Sequence, residues 1–269
     1  MCITISTCWY SLTSKFDKSK YLSWMKNFLP YVNNYYLVLY TDMKSYSFII
    51  ENFPDIPSNP NIFIIKKEVE EFYNYQYKTY WERNHEYNYL LNKRTEWKLH
   101  MLWAEKIHFV NETYQKNPFD TDIFAWCDIG YFRDGRPPTS FMNKDVLKQK
   151  INENYIYYAC VNNNREYLDY LYQIVQNKNE LGLTTTMIPT NQYSIAGGFF
   201  VLYGNKIDWW KTTFDQKLRL YFENKRLVKD DQIIVLDCIF SNIEKFYLLS
   251  ESDKVPEDER WFLFKRYLK

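Results

Sequence analysis

Ile123-Phe124-Ala125-Trp126-Cys127-Asp128-Ile129-Gly130 is the stretch on which the fold turns. Its first five residues are apolar without alternation, bounded by Asp120 and Asp122 before and Gly130 after. A run this short, apolar on both faces, reads as a strand inside a covered sheet rather than as a helix. Open α/β sheets bind ligands in the crevice beyond the carboxyl ends of their strands, so Asp128 is aimed at a ligand rather than into packing. A carboxylate there is not cheaply buried without a partner.

The flanking segments alternate strand and helix. Upstream, a strand over Ile3–Cys8 precedes a helix carrying Tyr21, Leu22, Met25, Phe28 and Leu29 at helical spacing up to Pro30. Strands follow over 35–41 and 61–65, with the turn-rich 54–60 between them. Residues 69–94 are charged and aromatic without clear period. One helix over 96–115, with Leu99, Trp103, Ile107, Val110 and Tyr114 as its apolar stripe, is closed by Asn117-Pro118. Downstream come a Gly135-Arg136-Pro137-Pro138 turn, a helix over 144–151, a strand over 155–161, and a helix over 165–177. A strand over 195–202, containing Gly197-Gly198, leads to helices over 207–224 and Asp231–Ser241 and an aromatic, basic tail over 261–269. This is an α/β chain, one domain with a mixed, mostly parallel sheet flanked by helices. Residues 1–134 form its expected ligand-binding part and 135–269 the remainder.

Composition narrows the possible partners. The 269 residues are 46% hydrophobic, enough for one sizeable core. Lys+Arg at 34 against Asp+Glu at 33 leaves a formal charge of +1, which calls for neither nucleic acid nor an anionic membrane. Five cysteines without a C-x-x-C pair argue against a disulfide framework and a zinc site, so a reducing, cytoplasmic compartment is expected. The start of the chain lacks the basic and apolar regions of a signal peptide, and no run of ~18 apolar residues occurs to span a bilayer. The 26 tyrosines read as ordinary core and rim residues before they read as a stacking surface. The tail suits a peripheral contact with a membrane or viral factory, but packing on its own domain is the commoner outcome.

Three elements recur in order: Trp126-Cys127-Asp128 ending a strand, Gly197-Gly198-Phe199-Phe200 beginning one, and Asp230-Asp231-Gln232 beginning a helix. A carboxylate-held divalent cation can stabilise negative charge growing on a phosphate leaving group, and Mn²⁺ or Mg²⁺ is satisfied with one or two protein carboxylates plus water. Asp128 is the candidate ligand; the alternative is a turn cap or an ion pair with Arg133. Gly197 and Gly198 allow close approach of a ligand, or a turn or bulge. Asp230 suits an N-cap, leaving Asp231 as the candidate catalytic group, a general base or a stabiliser of positive charge on a sugar. Lys78, Lys106 and Arg133 are candidates for phosphate oxygens, against the commoner solvated role. No H-E-x-x-H, G-x-S-x-G, Walker or dinucleotide glycine pattern is present.

The run Trp103-Ala104-Glu105-Lys106-Ile107-His108-Phe109-Val110, with Asn117-Pro118-Phe119 and Trp126-Cys127-Asp128-Ile129-Gly130-Tyr131-Phe132-Arg133, resembles the HtrL/YibB (WlaTC/HtrL/YibB) family. Tyr21-Leu22-Ser23-Trp24, Asn27-Phe28-Leu29, Tyr40-Thr41-Asp42, Lys78-Thr79, Gly197-Gly198-Phe199-Phe200 and Asp231-Gln232 extend the likeness over most of the chain. That family is regarded as glycosyltransferase-like and occurs near bacterial surface-polysaccharide genes and in large DNA viruses. The resemblance implies a GT-A type nucleotide-sugar fold. In such folds an Asp-x-Asp motif holds metal and diphosphate; here Trp126 takes its first place and leaves Asp128. The late histidine used by some such enzymes is missing, since no histidine follows Asp128. The order of motifs is also similar to glycogenin-type retaining transferases, which would put Asp231 beneath the sugar with Gln232 beside it. Thr7, Thr41 and Asp42 would hold base and ribose. The implied activity is transfer from a UDP-sugar donor to a glycan or glycoconjugate acceptor; the rival is an inactive relative that binds a glycan or a protein.

Overall fold

A computed structural model describes residues 2–269. Seven strands form one sheet: β1 Ile3–Cys8, β2 Tyr36–Thr41, β3 Ile62–Lys66, β4 Ile123–Cys127, β5 Ile156–Cys160, β6 Ile195–Tyr203 and β7 Phe246–Leu249, in the order β3-β2-β1-β4-β6-β5-β7. β3, β2, β1 and β4 run parallel, β6 is antiparallel to both of its neighbours, and β5 pairs parallel with β7. The helices are α1 Lys18–Phe28, α2 Met43–Asn52, α3 Lys78–Tyr87, α4 Trp97–Ala104, α5 Lys106–Lys116, α6 Lys144–Lys150, α7 Arg165–Gln176, α8 Ile207–Glu223, α9 Asp231–Ser241, α10 Glu257–Arg260 and α11 Phe264–Tyr267.

Both faces of the sheet are covered, which is why β4 is apolar throughout and β1 is buried along its whole length. Phe124 and Trp126 face a layer built by Phe109 and Val110 of α5, Trp210 and Phe214 of α8, and Ile234 of α9. Ile123, Ala125 and Cys127 face the opposite layer, with Met25 and Phe28 of α1 and Phe264 of α11. The alternation along β4 is thus between two cores rather than between core and water. The few hydroxyls on the α5 side are paired: Thr4 with Thr121 at 2.7 Å, and Ser6 with Thr113 at 2.7 Å. The 261–269 tail packs on its own domain. Phe264 and Leu268 are fully buried, the Phe264 N–H donates to the Tyr131 hydroxyl, and the Met142 N–H donates to the Leu268 carbonyl.

Several elements depart from the sequence reading. α2 and β7 were not anticipated, and residues 69–94 resolve into short 3-10 turns followed by α3. The expected continuous helix over 96–115 divides at Glu105 into α4 and α5. The buried Glu105 carboxylate accepts the backbone N–H of Tyr73 at 2.7 Å and of Asn74 at 3.0 Å, and the Asn74 side-chain amide at 2.7 Å. The segment before α3 is thereby tied to the junction, and Lys106 becomes the first residue of a new helix.

Burial pushes the Glu105 carboxyl up from 4.5 to about 7 despite those donors. A raised carboxyl favours the folded state fully below its unfolded value near 4.5, and that contribution is lost as the pH rises through about 7. Glu105→Gln has no such proton to lose. In urea titrations, wild type should therefore lose about 2 kcal/mol of stability relative to Glu105→Gln between pH 5 and pH 8. A pH-independent gap between the two proteins would contradict this.

Candidate active site

The sheet order places a switch point between β1 and β4: from β1 the chain moves outward to β2 and β3, and it returns to β4 on the other side. Crevices at such points hold ligands. Asp128 stands at the carboxyl end of β4, its backbone N–H donating to the Gly198 carbonyl at 2.8 Å and its carbonyl accepting the Tyr131 N–H at 2.9 Å. Its side chain is 43% exposed. The Trp126 indole N–H donates to Asp128 Oδ1 at 2.7 Å, so the residue in the first place of the Asp-x-Asp pattern aims the carboxylate instead of adding a second one.

Asp128 does not pair with Arg133. Its cation is Lys106, whose ammonium lies 3.2 Å from Asp128 Oδ1 and 3.0 Å from Asp231 Oδ2, and donates to the Gly197 carbonyl at 2.8 Å. All three donors of the ammonium are thus engaged. Lys106 had a solvated helix face as its commoner expectation; its side chain is only 9% exposed. Burial alone would lower its pKa, but Asp128 and Asp231 outweigh that and hold it above the ordinary lysine value. With two carboxylates sharing one cation, the excess negative charge also acts on Asp231. Burial, with Asp230 and Asp128 acting in the same direction against Lys106, pushes its carboxyl up to about 6.

Gly197 and Gly198 sit in β6 without positive φ, and the groups that approach them are carboxylates of the chain itself. A Cβ on Gly197 would fall 2.8 Å from Asp231 Oδ2, and one on Gly198 would fall 3.4 Å from Asp128 Oδ2. The ladder between β5 and β6 also shifts register between Tyr158 and Cys160, so the bulge reading of these glycines holds beside the close-approach one. Asp230 precedes α9 at the cap position but makes no capping hydrogen bond; it pairs with Lys229 at 3.0 Å. Gln232 anchors the start of α9 by donating to the Ile195 carbonyl at 2.7 Å.

In front of Asp128 opens a cleft of about 500 Å³. Its walls are the 8–18 loop and α1 on one side and α4 on the other, with Trp126, Asp128, Gly130 and Arg133 as floor. Every lining residue falls between Cys8 and Arg133, within the part expected to bind ligand. Lys15, Lys18, Lys106 and Arg133 line it against Asp17 and Asp128, so the walls are net positive. Arg133 lies over the rings of Trp24 at 4.5 Å and Phe262 at 5.1 Å, and donates to the Gly130 carbonyl at 3.2 Å. Lys15 lies 5.1 Å from the Trp103 ring.

The structure therefore brings together Lys106, Trp126, Asp128, Gly197, Gly198 and Asp231, with Arg133 on the same cleft and Gln232 just behind. Asp231, expected beneath a sugar, is buried behind Lys106 and off the cleft wall, its carboxylate lying against the inner strand β6 where Gly197 has no side chain. Four other candidates lie elsewhere. Thr7 is wholly buried inside β1, and the Thr41 hydroxyl donates to the Trp9 carbonyl at 2.9 Å. Asp42 caps α2 by accepting the Ser45 N–H at 2.6 Å. Lys78 is on the outer surface, 3.8 Å from Glu82. The 9–17 loop, with Trp9, Lys15 and Phe16, escaped notice, although its place after the carboxyl end of β1 is the same signal that marked Asp128.

The donor set does not fit a resident Mn²⁺ or Mg²⁺ at Asp128. Such ions take at least one or two protein carboxylates and fill the rest of their shell with water or phosphate oxygens. Here Oδ1 already accepts from Trp126 and Lys106, and a lysine ammonium stands where a cation's charge would act. Among the described residues no three His, Cys, Asp or Glu side chains converge as a metal site.

No protein-family model and no curated protein sequence matches the chain. Among solved structures it is similar to mouse xyloside xylosyltransferase 1 in its apo form, with a TM-score of 0.50 and 9% identity over 100% of this chain and 94% of that one. The likeness is one of fold: the mixed seven-stranded sheet with helices on both faces is of the GT-A glycosyltransferase type that the sequence led us to expect.

Proposed function

We propose that this chain is a glycosyltransferase of the HtrL/YibB kind, moving a sugar from a UDP-sugar to a glycan or glycoconjugate acceptor. One observation carries the reading. A net-positive, aromatic-walled cleft opens at the sheet's switch point, with a carboxylate aimed into it by a neighbouring indole. In the reaction the bond between the anomeric carbon and the phosphate oxygen breaks with its electron pair going to the diphosphate. The anomeric carbon bonds to the acceptor oxygen, and the acceptor's proton leaves with the released diphosphate. The cleft cations counter the charge that builds on the leaving group. Asp128 keeps Oδ2 free to accept hydrogen bonds from sugar hydroxyls, while Asp231 acts through Lys106 as a positioning residue.

Isothermal titration of UDP, GDP and CDP, followed by assay of free-sugar release from a panel of nucleotide sugars, tests the assignment. Binding of one nucleotide and slow hydrolysis of its sugar conjugate are expected, with release reduced by roughly 100-fold in Asp128→Ala. A folded Asp128→Ala protein with unchanged hydrolysis would remove Asp128 from the site. Nucleotide binding without any hydrolysis or transfer would favour the inactive, binding-only relative.

A further inference from the structure

Lys15 and Arg133 each rest on an aromatic ring that itself lines the cleft, whereas Lys18, the other unpaired cation there, lies against Phe48, which does not line it. Both Lys15 and Arg133 stand at the wall of the concave site, and neither forms an ion pair with a carboxylate. Lys106, by contrast, is fully committed to Asp128, Asp231 and the Gly197 carbonyl. Partial desolvation by the cleft walls holds both Lys15 and Arg133 below their ordinary pKa values, a cost that an arriving anion reverses. Their carrier segments are fixed. The Thr13 N–H donates to Glu96 at 2.5 Å and the Glu96 N–H to the Thr13 carbonyl at 3.3 Å, which staples the 8–18 loop to the start of α4. Phe16, next to Lys15, lies 5.4 Å from the Arg133 guanidinium and 5.0 Å from the Trp24 ring, so the loop reaches from Trp103 across to Arg133.

We infer that Lys15 and Arg133 form a metal-free clamp for the diphosphate of the donor, in the role for which the Asp-x-Asp pattern recruits a divalent cation. This rests on the transferase reading above. The guanidinium offers a planar fork to phosphate oxygens and the ammonium a point charge. As the anomeric C–O bond breaks, its electron pair settles on a phosphate oxygen facing these two cations. Asp128 shares Lys106 with Asp231, so its charge is offset only in part, and the two clamp cations face that remainder together with the diphosphate.

The test is titration of UDP, GDP and CDP into the full chain with EDTA and, separately, with Mn²⁺, repeated on Lys15→Met and Arg133→Lys. The best-binding nucleotide should have the same Kd within about twofold in EDTA and in Mn²⁺. Each variant should weaken the diphosphate about tenfold or more while leaving the affinity of the bare nucleoside unchanged, a split that general damage to the cleft does not produce. Paramagnetic resonance of Mn²⁺ should show no ion held in the protein–nucleotide complex beyond that bound by free nucleotide. Binding that appears only with Mn²⁺ overturns the clamp and leaves the transferase standing. Diphosphate and nucleoside weakened equally by both variants also overturns it. Binding of no nucleotide under either condition overturns both readings.

Discussion

Replacing Gly197 by alanine is expected to reduce sugar transfer by roughly 100-fold or more in a protein that still folds. The added methyl would stand 2.8 Å from Asp231 Oδ2, 3.2 Å from Oδ1 and 3.3 Å from Cγ. The carboxylate cannot move back, because it opens α9, a helix whose residues Asp231 to Phe240 are all buried. It must instead turn away from β6, and Lys106, held between Asp231, Asp128 and the Gly197 carbonyl, moves with it. Overpacking of this kind costs about 1–3 kcal/mol of stability, which chemical denaturation should register beside the activity loss. Gly198→Ala is the graded comparison: its methyl would meet Asp128 Oδ2 at 3.4 Å, near ordinary contact, so its loss of activity should be clearly smaller. Equal losses in the two variants would mean that the glycines serve the strand's backbone rather than the carboxylates.

Asp231→Asn should move stability and activity in opposite directions. The wild-type carboxyl is raised from 3.8 to about 6, so its favourable contribution is complete below about 3.8 and is lost as the pH rises through about 6. At pH 8 wild type carries an ionised, buried group at a cost that the amide avoids, and Asp231→Asn should be more stable by about 2 kcal/mol, an advantage that shrinks toward pH 4. Transfer needs the ionised form, because only the charge holds Lys106 between two carboxylates. The wild-type rate should therefore climb as the pH passes about 6, while Asp231→Asn should be low and flat, down by roughly 10- to 100-fold at pH 8. Stability–pH and rate–pH profiles of both proteins check this. A wild-type rate in Asp231→Asn at pH 8 would rule out the positioning role. The ionised Asp231 carboxylate is thus held at a cost to the fold.

The legible parts of the fold share a physical cause. β1, β4 and α9 were read with their observed bounds because each is buried along nearly its whole length, where burial restricts residue type position by position. β7 lies at the sheet edge with Tyr247 exposed, so its four residues carry little pattern. α2 begins at a capping Asp42 that looked like a ligand because it ends a parallel strand; the same residue type serves both uses, and only the hydrogen bond to Ser45 distinguishes them. Thr7 and Thr41 also lie away from the cleft: both side chains turn inward, and the Thr41 hydroxyl donates to the Trp9 carbonyl.

Local sequence determined the α/β alternation, the inner strand ending in Asp128, the start of α9 and the paired glycines, since each depends on neighbours within one or two turns of chain. Tertiary structure alone decided that Lys106 rather than Arg133 pairs with Asp128, that Asp231 lies behind that lysine, and that Lys15 and Arg133 are left without carboxylates on one cleft. Those outcomes depend on charges brought together from α5, β4, β6 and α9. They also depend on the tie between Glu105, beside Lys106, and the backbone of Tyr73 and Asn74. Electrostatic energy in a desolvated site depends on distances of a few ångströms between such groups, and sequence separation carries no information about them.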